Sequence, residues 1–277
     1  ASRNEFSKLV RNHLNEPEKA IIMLDCSLHQ TANMEKQCKS VYCEHTKRVD
    51  NLLSMSFGSN SLASYKTRWE LHMKRQSMTE FKYVPNHGSR FSQSGRNAGK
   101  TIKFWQEIKN FSGANRNSNL MNSLHEELNG PNSSSIYNHI LSMALCWHLV
   151  LQPIWQKLAS AGLIDTITTL NQLGKLNETI QTSNPAESIT DPKINIWVTN
   201  ATENATKNSV VFKIIEVASQ KKDQSELQQV IKKMIFKATS YTQRLMGSLK
   251  IENCPKWSSN ISGSIQSLES YFGVFDK

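Results

Sequence analysis

The sequence predicts a mainly α fold: a multi-helix globular domain around a buried central helix at 136–161, with one small β-hairpin near 193–218. Three observations predict it. Apolar residues recur at helical spacing through most of the chain. The run Ile136–Trp155 holds no Asp, Glu, Lys or Arg and is hydrophobic almost all round, as a helix enclosed by others is. And 38% hydrophobic residues in a 277-residue chain is enough for a real core, in one large domain or two small ones.

The elements follow in order. Phe6, Leu9, Val10 and Leu14 share one face of a short helix, and Pro17 opens the next. A less regular apolar run from Ile21 passes Cys38 and Tyr42, resumes at Val49, Leu52, Leu53 and Met55, and breaks at Gly58. Ser61 starts a helix with Leu62, Tyr65, Trp69, Leu71 and Met73 on one side. Residues 80–101, punctuated by Pro85, Gly88, Gly95 and Gly99, read as a long basic loop. A short helix then turns Ile102, Trp105, Ile108 and Phe111 inward, and another carries Leu120, Met121, Leu124 and Leu128 to the stop at Asn129-Gly130-Pro131. Ser133–Ser135 offer caps for the central helix, which Pro153 should kink and Gly162 should end. Leu163–Thr182 is amphipathic.

Residues 1–182 thus read as the main helical domain and 183–192, "SNPAESITDP", as a linker. Residues 193–277 read as a smaller region packed on the same core or set beside it. There Ile194, Ile196 and Val198 alternate as in a strand, and "VVFKIIEVA" reads as its partner. Leu227, Val230, Ile231, Met234, Ile235 and Ala238 then make a clear helical stripe, with a short final helix near 264–272.

Net charge is +10, the pI about 9.4 and the mean hydropathy -0.50, which together predict a broad wet surface suited to polyanions. Five cysteines at irregular spacing make a poor disulfide framework and favour a reducing, intracellular setting, cytoplasmic or nuclear. Six N-x-S/T sequons point the other way, to a secreted or lumenal glycoprotein, but a chain this rich in Asn, Ser and Thr yields roughly four or five by chance. The chain opens with neither Met nor a secretory signal and reads as processed or cut from something larger. No membrane span is expected, because Asn138, His139, His148, Gln152 and Pro153 interrupt the most apolar run at high cost in lipid.

Most motifs fail on inspection. "GRNAGKT" places Gly95 one residue too close to Gly99-Lys100-Thr101 for a Walker A loop, and no launching strand precedes it. "HEEL" at His125 has Asn129 where a zincin needs its second His. Cys146 and His148 lie near one another in a greasy helix but point apart. Cys26, His29, Cys38, Cys43 and His45 are zinc-type ligands at a spacing that fits no finger template, so they remain weak candidates and no metal or other cofactor is assigned. Without a catalytic motif, a non-enzyme is favoured.

The positive residues carry more. Lys66, Arg68, Lys74 and Arg75 mark the exposed side of one helix, and Arg90, Arg96, Lys100 and Lys103 line the glycine-rich segment before the next. Backbone amides at a helix start attract phosphate, and arginine adds bidentate geometry. Phe91 and Trp105 are placed to stack on bases. The expected function is binding to the phosphate backbone of nucleic acid, RNA favoured, by a protein or segment within a larger RNA-handling assembly. A viral nucleoprotein suits this profile by fold-level analogy. A helical structural or adaptor protein that binds other protein subunits is the alternative.

Overall fold

The computed structural model describes residues 27–58, 63–78, 94–159, 161, 163–203, 205–206, 209–221 and 224–246. The expected first and last helices, and residues 80–93 of the expected loop, lie outside them. All regular structure among the described residues is helical: α1 (Ser27–Lys39), α2 (Glu44–Phe57), α3 (Ala63–Arg75), α4 (Ser94–Lys103), α5 (Trp105–Ala114), α6 (Asn119–Asn129), α7 (Ser133–Cys146), a π-helical turn (Trp147–Leu151), α8 (Gln152–Leu158), α9 (Leu163–Thr182), α10 (Pro185–Thr190), α11 (Trp197–Glu203), α12 (Val210–Gln220) and α13 (Ser225–Met246).

The run from α7 through α8 is the expected central rod. Every residue from Ile140 to Trp147 is buried, so this segment has no solvent face. α4 packs most extensively against α7, and α13 lies along both α7 and α1. α2 joins α7 to α6, α3 rests on α2 and α5, α9 and α10 flank α13, and α12 covers α4 and α7. The buried sets keep helical spacing: Met121, Leu124 and Leu128 in α6; Leu227, Val230, Ile231, Met234, Ile235 and Ala238 in α13. No described helix is long and apolar enough to cross a membrane.

Pro153 disturbs the rod in a specific way. Proline has no N–H, so it withholds the α-helical donor that the Leu149 carbonyl would otherwise receive. Ahead of it the helix widens by one residue, with the Gln152 N–H donating to the Trp147 carbonyl. The Leu149 carbonyl is met from outside the helix by Asn195 Nδ2 at 3.0 Å. The same amide donates to the Ile189 carbonyl at 2.8 Å, while its Oδ1 accepts from the Trp197 N–H at 3.2 Å.

Asn195 also explains why the expected hairpin is absent. The described residues of 193–218 form turns and the helices α11 and α12. Asp191 Oδ1 accepts from the Lys193 N–H at 2.8 Å, and the Asp191 carbonyl accepts from the amides of Ile194 and Asn195. These local bonds close a turn before a ladder can form. Ile194 and Ile196 therefore stay exposed, while Trp197 and Val198 turn into the core. Ser209 Oγ then accepts from the Phe212 N–H and starts α12 where a second strand was expected. The 183–192 stretch carries α10, capped by Asn184, with Pro185, Ala186, Ser188 and Ile189 buried.

The glycine-rich segment is likewise helical from Ser94, so residues 94–101 are not loop. A β-carbon on Gly95 would stand 2.2 Å from Trp147 Cγ, and one on Gly99 would stand 2.4 Å from His148 Nε2 and 2.5 Å from Val210 Cγ1. The two glycines, one helical turn apart, let α4 lie directly on the central rod. Met55 and Leu71, expected inward, are exposed, and the aromatic contact of Phe57, Trp69 and Phe111 holds α2, α3 and α5 together instead.

Two substitutions test these contacts in urea or thermal melts followed by circular dichroism. Asn195→Ala is expected to lower stability by about 1–3 kcal/mol for each carbonyl it strands. Gly95→Ala is expected to cost about 1–3 kcal/mol by overpacking against Trp147, and Trp147→Leu in the Gly95→Ala background should recover part of that loss.

Candidate nucleic-acid interface

α4 has the sequence SGRNAGKTIK, with three cations and no acid. Its inward face is Gly95, Ala98, Gly99 and Ile102. Arg96, Lys100 and Lys103 follow at i, i+4 and i+7, so they form one stripe about 100° round from it. Arg96 is exposed, and Lys100 and Lys103 are half-buried. Burial lowers the Lys100 pKa, and the neighbouring Arg96 charge lowers it further. The Lys103 ammonium sits 5.4 Å from the Phe104 ring centroid.

At the start of α4 the Gly95 amide is already taken by a carboxylate of the chain. Glu35, buried on α1, accepts from the Gly95 N–H at 2.7 Å. Lys39 Nζ donates to Ser94 Oγ at 3.2 Å and pairs with Asp50 at 2.5 Å. The favourable place for a negative charge at a helix start is thus filled by a carboxylate of the chain itself.

His148 registers the positive field behind the stripe. Its Nε2 abuts Gly99 and has no hydrogen-bond partner among the described residues. Burial pushes its pKa down to about 4; the Gln152 side chain opposes the shift, and Arg96 and Lys100 add to it.

On α3, Tyr65, Trp69 and Met73 are buried and Lys66, Arg68, Lys74 and Arg75 are exposed. These four do not form one face. At about 100° per residue, Arg68 and Arg75 share one flank, and Lys66 and Lys74 fall on the other with Glu70 between them. Arg68 Nη1 donates to Asn115 Oδ1 at 3.4 Å. His72 joins neither flank: it stacks on Trp69 with centroids 5.5 Å apart and meets the Phe111 ring. Burial lowers its pKa, with Glu107 pulling the other way. α3 rests on α2 and α5 and α4 on α7 and α12, so the two basic helices are held by different parts of the core. Arg90 and Phe91 lie outside the described residues. Trp105 is half-buried, edge-to-face with Tyr137 at 4.9 Å.

The weak zinc candidates divide. Cys38 is in the core, with its thiol donating to the Met234 carbonyl at 3.4 Å and its pKa raised by burial. Cys43 precedes α2 and contacts Thr46 Oγ1 at 3.1 Å. His45 Nδ1 lies 3.1 Å from Glu127 Oε2, and its Nε2 lies 3.1 Å from Asn132 Nδ2. Cys26 lies outside the described residues, and the side chain of His29 is not described. Among the described residues no group of three His, Cys, Asp or Glu converges as a metal site. Cys146 is likewise a buried core thiol with a raised pKa.

Sequence reasoning missed Phe236. It is 54% exposed on α13 between the exposed Lys233 and Lys237, and its place outside the apolar stripe of that helix was the available signal. It also missed Glu35, for which no local signal exists. No protein-family model, curated protein or solved structure matches the chain.

His148 gives this region a pH signature. Its folded pKa lies below the unfolded value of 6.5, so the unfolded chain binds the extra proton between the two. Stability should be full above 6.5 and fall as pH drops toward about 4. Unfolding of His148→Gln across that window should show a flatter pH dependence than the wild type.

Proposed function

We propose that the protein binds the phosphate backbone of nucleic acid, RNA in particular, through cationic side chains on helix faces. The observation that carries this reading is the α4 stripe: Arg96, Lys100 and Lys103 on one side of a helix with no acid of its own. The charge of +10 over the whole chain supports it, because the long-range field draws polyanions toward any such face. Arg68 and Arg75 on α3 supply a second cationic flank, and Lys233 and Lys237 on α13, with Phe236 between them, a third. Contacts of this kind displace counterions and read little sequence. A reducing, intracellular setting is part of the same proposal and rests on the irregular cysteine spacing.

The test is binding of single-stranded RNA and of duplex DNA at two salt concentrations. Replacing Arg96, Lys100 and Lys103 together by Gln should weaken binding. If all three contact phosphate, it should make the slope of log K against log salt shallower by about 2 for single strands. Wild-type affinity and slope in that variant, with an unchanged melt, would remove α4 from the interface.

A further inference from the structure

α1 and α13 lie side by side and run in opposite directions. Asn33 Nδ2 donates to Tyr241 Oη at 2.8 Å, and the Cys38 thiol donates to the Met234 carbonyl at 3.4 Å, so a step up α1 is a step down α13. This register brings Lys36 level with Lys237. Lys233 lies one turn away on α13, and all three lysines are exposed. Phe236 is 54% exposed beside them, at helical contact spacing from Lys233. Neither helix offers these ammonium groups an available carboxylate. Each holds one acid. Glu35 is buried and accepts from the Gly95 N–H. Glu226 accepts from Ser135 Oγ and Asn138 Nδ2, about 10 Å along the helix axis from Lys233. Among the described residues, Lys36, Lys233 and Lys237 take part in no ion pair, and no cation or second ring covers Phe236. The α9 side of Phe236 differs. There Lys232 Nζ is tied to the Gln181 carbonyl at 3.1 Å, and Glu178 is exposed one turn before Gln181.

We infer that this α1–α13 seam is where the protein holds single strands: one base stacks on Phe236, and the phosphates beside it meet Lys233 and the Lys36–Lys237 pair. The inference rests on the nucleic-acid reading proposed above and adds the form of the ligand and the residue that selects it. Charge complementarity names the occupant, because a polyanion suits ammonium groups that no carboxylate of these helices neutralises. One ring set among lysines and glutamines is too little apolar surface for a lipid or a protein interface. An exposed ring accepts any base by its π-face, and only an unpaired base has that face to give. A duplex can therefore use the lysines but not Phe236. The lysines supply the salt-dependent part of the affinity, and Phe236 supplies the preference for single strands. None of these residues belongs to the α4 stripe.

The test is fluorescence anisotropy of the full chain with labelled oligouridine and with a labelled RNA duplex of equal length, each at two salt concentrations. Phe236→Ala should weaken oligouridine binding at least about fivefold and duplex binding less than about twofold. Its salt slope and thermal melt should match the wild type, since no charge and no core contact is lost. Phe236→Trp should keep or exceed the wild-type affinity for oligouridine. Replacing Lys36, Lys233 and Lys237 together by Gln should weaken both ligands and make the oligouridine slope shallower by about 2. In the α4 triple-Gln variant, Phe236→Ala should still cost the same factor, because the two surfaces share no residue. Wild-type oligouridine affinity in Phe236→Ala, or equal losses for strand and duplex, overturns the seam assignment while the backbone reading stands. Absence of saturable binding of either RNA by the wild type overturns both. Loss of binding to phosphatidylserine vesicles in Phe236→Ala, with oligouridine affinity unchanged, gives this face to a lipid surface and overturns the assignment.

Discussion

The close approach of α4 to the central rod depends on two residues that lack a β-carbon. Trp147 occupies the space a side chain at 95 would need, and His148 and Val210 occupy the space at 99. That contact sets the rotation of α4 about its own axis. With Gly95, Ala98, Gly99 and Ile102 turned inward, Arg96, Lys100 and Lys103 have only one stripe left to occupy. It also seats the start of α12, because Val210 rests on the same glycine. The other end of α12 then brings Lys221 to Tyr137. The basic stripe and the Lys221–Tyr137 contact both follow from the spacing between these helices.

The rod itself is held in shape by polar groups placed where apolar packing alone would not fix it. Pro153 leaves a carbonyl short of its usual donor inside the core, a state that costs a few kcal/mol if uncorrected. Asn195 corrects it and, with its remaining bonds, sets the path of the chain from α10 into α11. Glu226 does comparable work at the start of α13. Burial opposes its charge, but Ser135 and Asn138 donate to it at 2.5 and 2.7 Å, and His139 and Lys221 add positive charge, so its pKa is lowered. Apolar area makes the helices associate, and these few directional bonds select one arrangement.

The helices were largely legible because a 3.6-residue period leaves a direct trace in the chain, as in Met121, Leu124 and Leu128 or Leu227 to Ala238. Two of the misreadings have a common origin. In "KINIWVT" the alternation suggested a strand, but Asp191 and Asn195 take the backbone amides into turns. In "GRNAGKT" the glycine content suggested a loop, although Gly95, Ala98, Gly99 and Ile102 already held helical spacing. In both, a pattern within a few residues was weighed above the hydrogen bonds and the close packing that decide the conformation. For the candidate site, the cations themselves were legible, as was the inward face of α3 from Tyr65, Trp69 and Met73. Glu35 at the start of α4 was not, because it approaches from a helix some sixty residues away in sequence. Lys221 over Tyr137 is hidden for the same reason.

The position of Glu35 also bears on what kind of recognition the α4 region can support. A phosphate cradle works through fixed backbone amides, which give geometry as well as charge. Here the Gly95 amide is already bonded to Glu35, and that carboxylate repels a second anion at the start of α4. What remains for an external polyanion is side-chain charge on a helix surface. Such contacts follow the density of phosphates along a strand and fall steeply with salt, but they do not sense the bases.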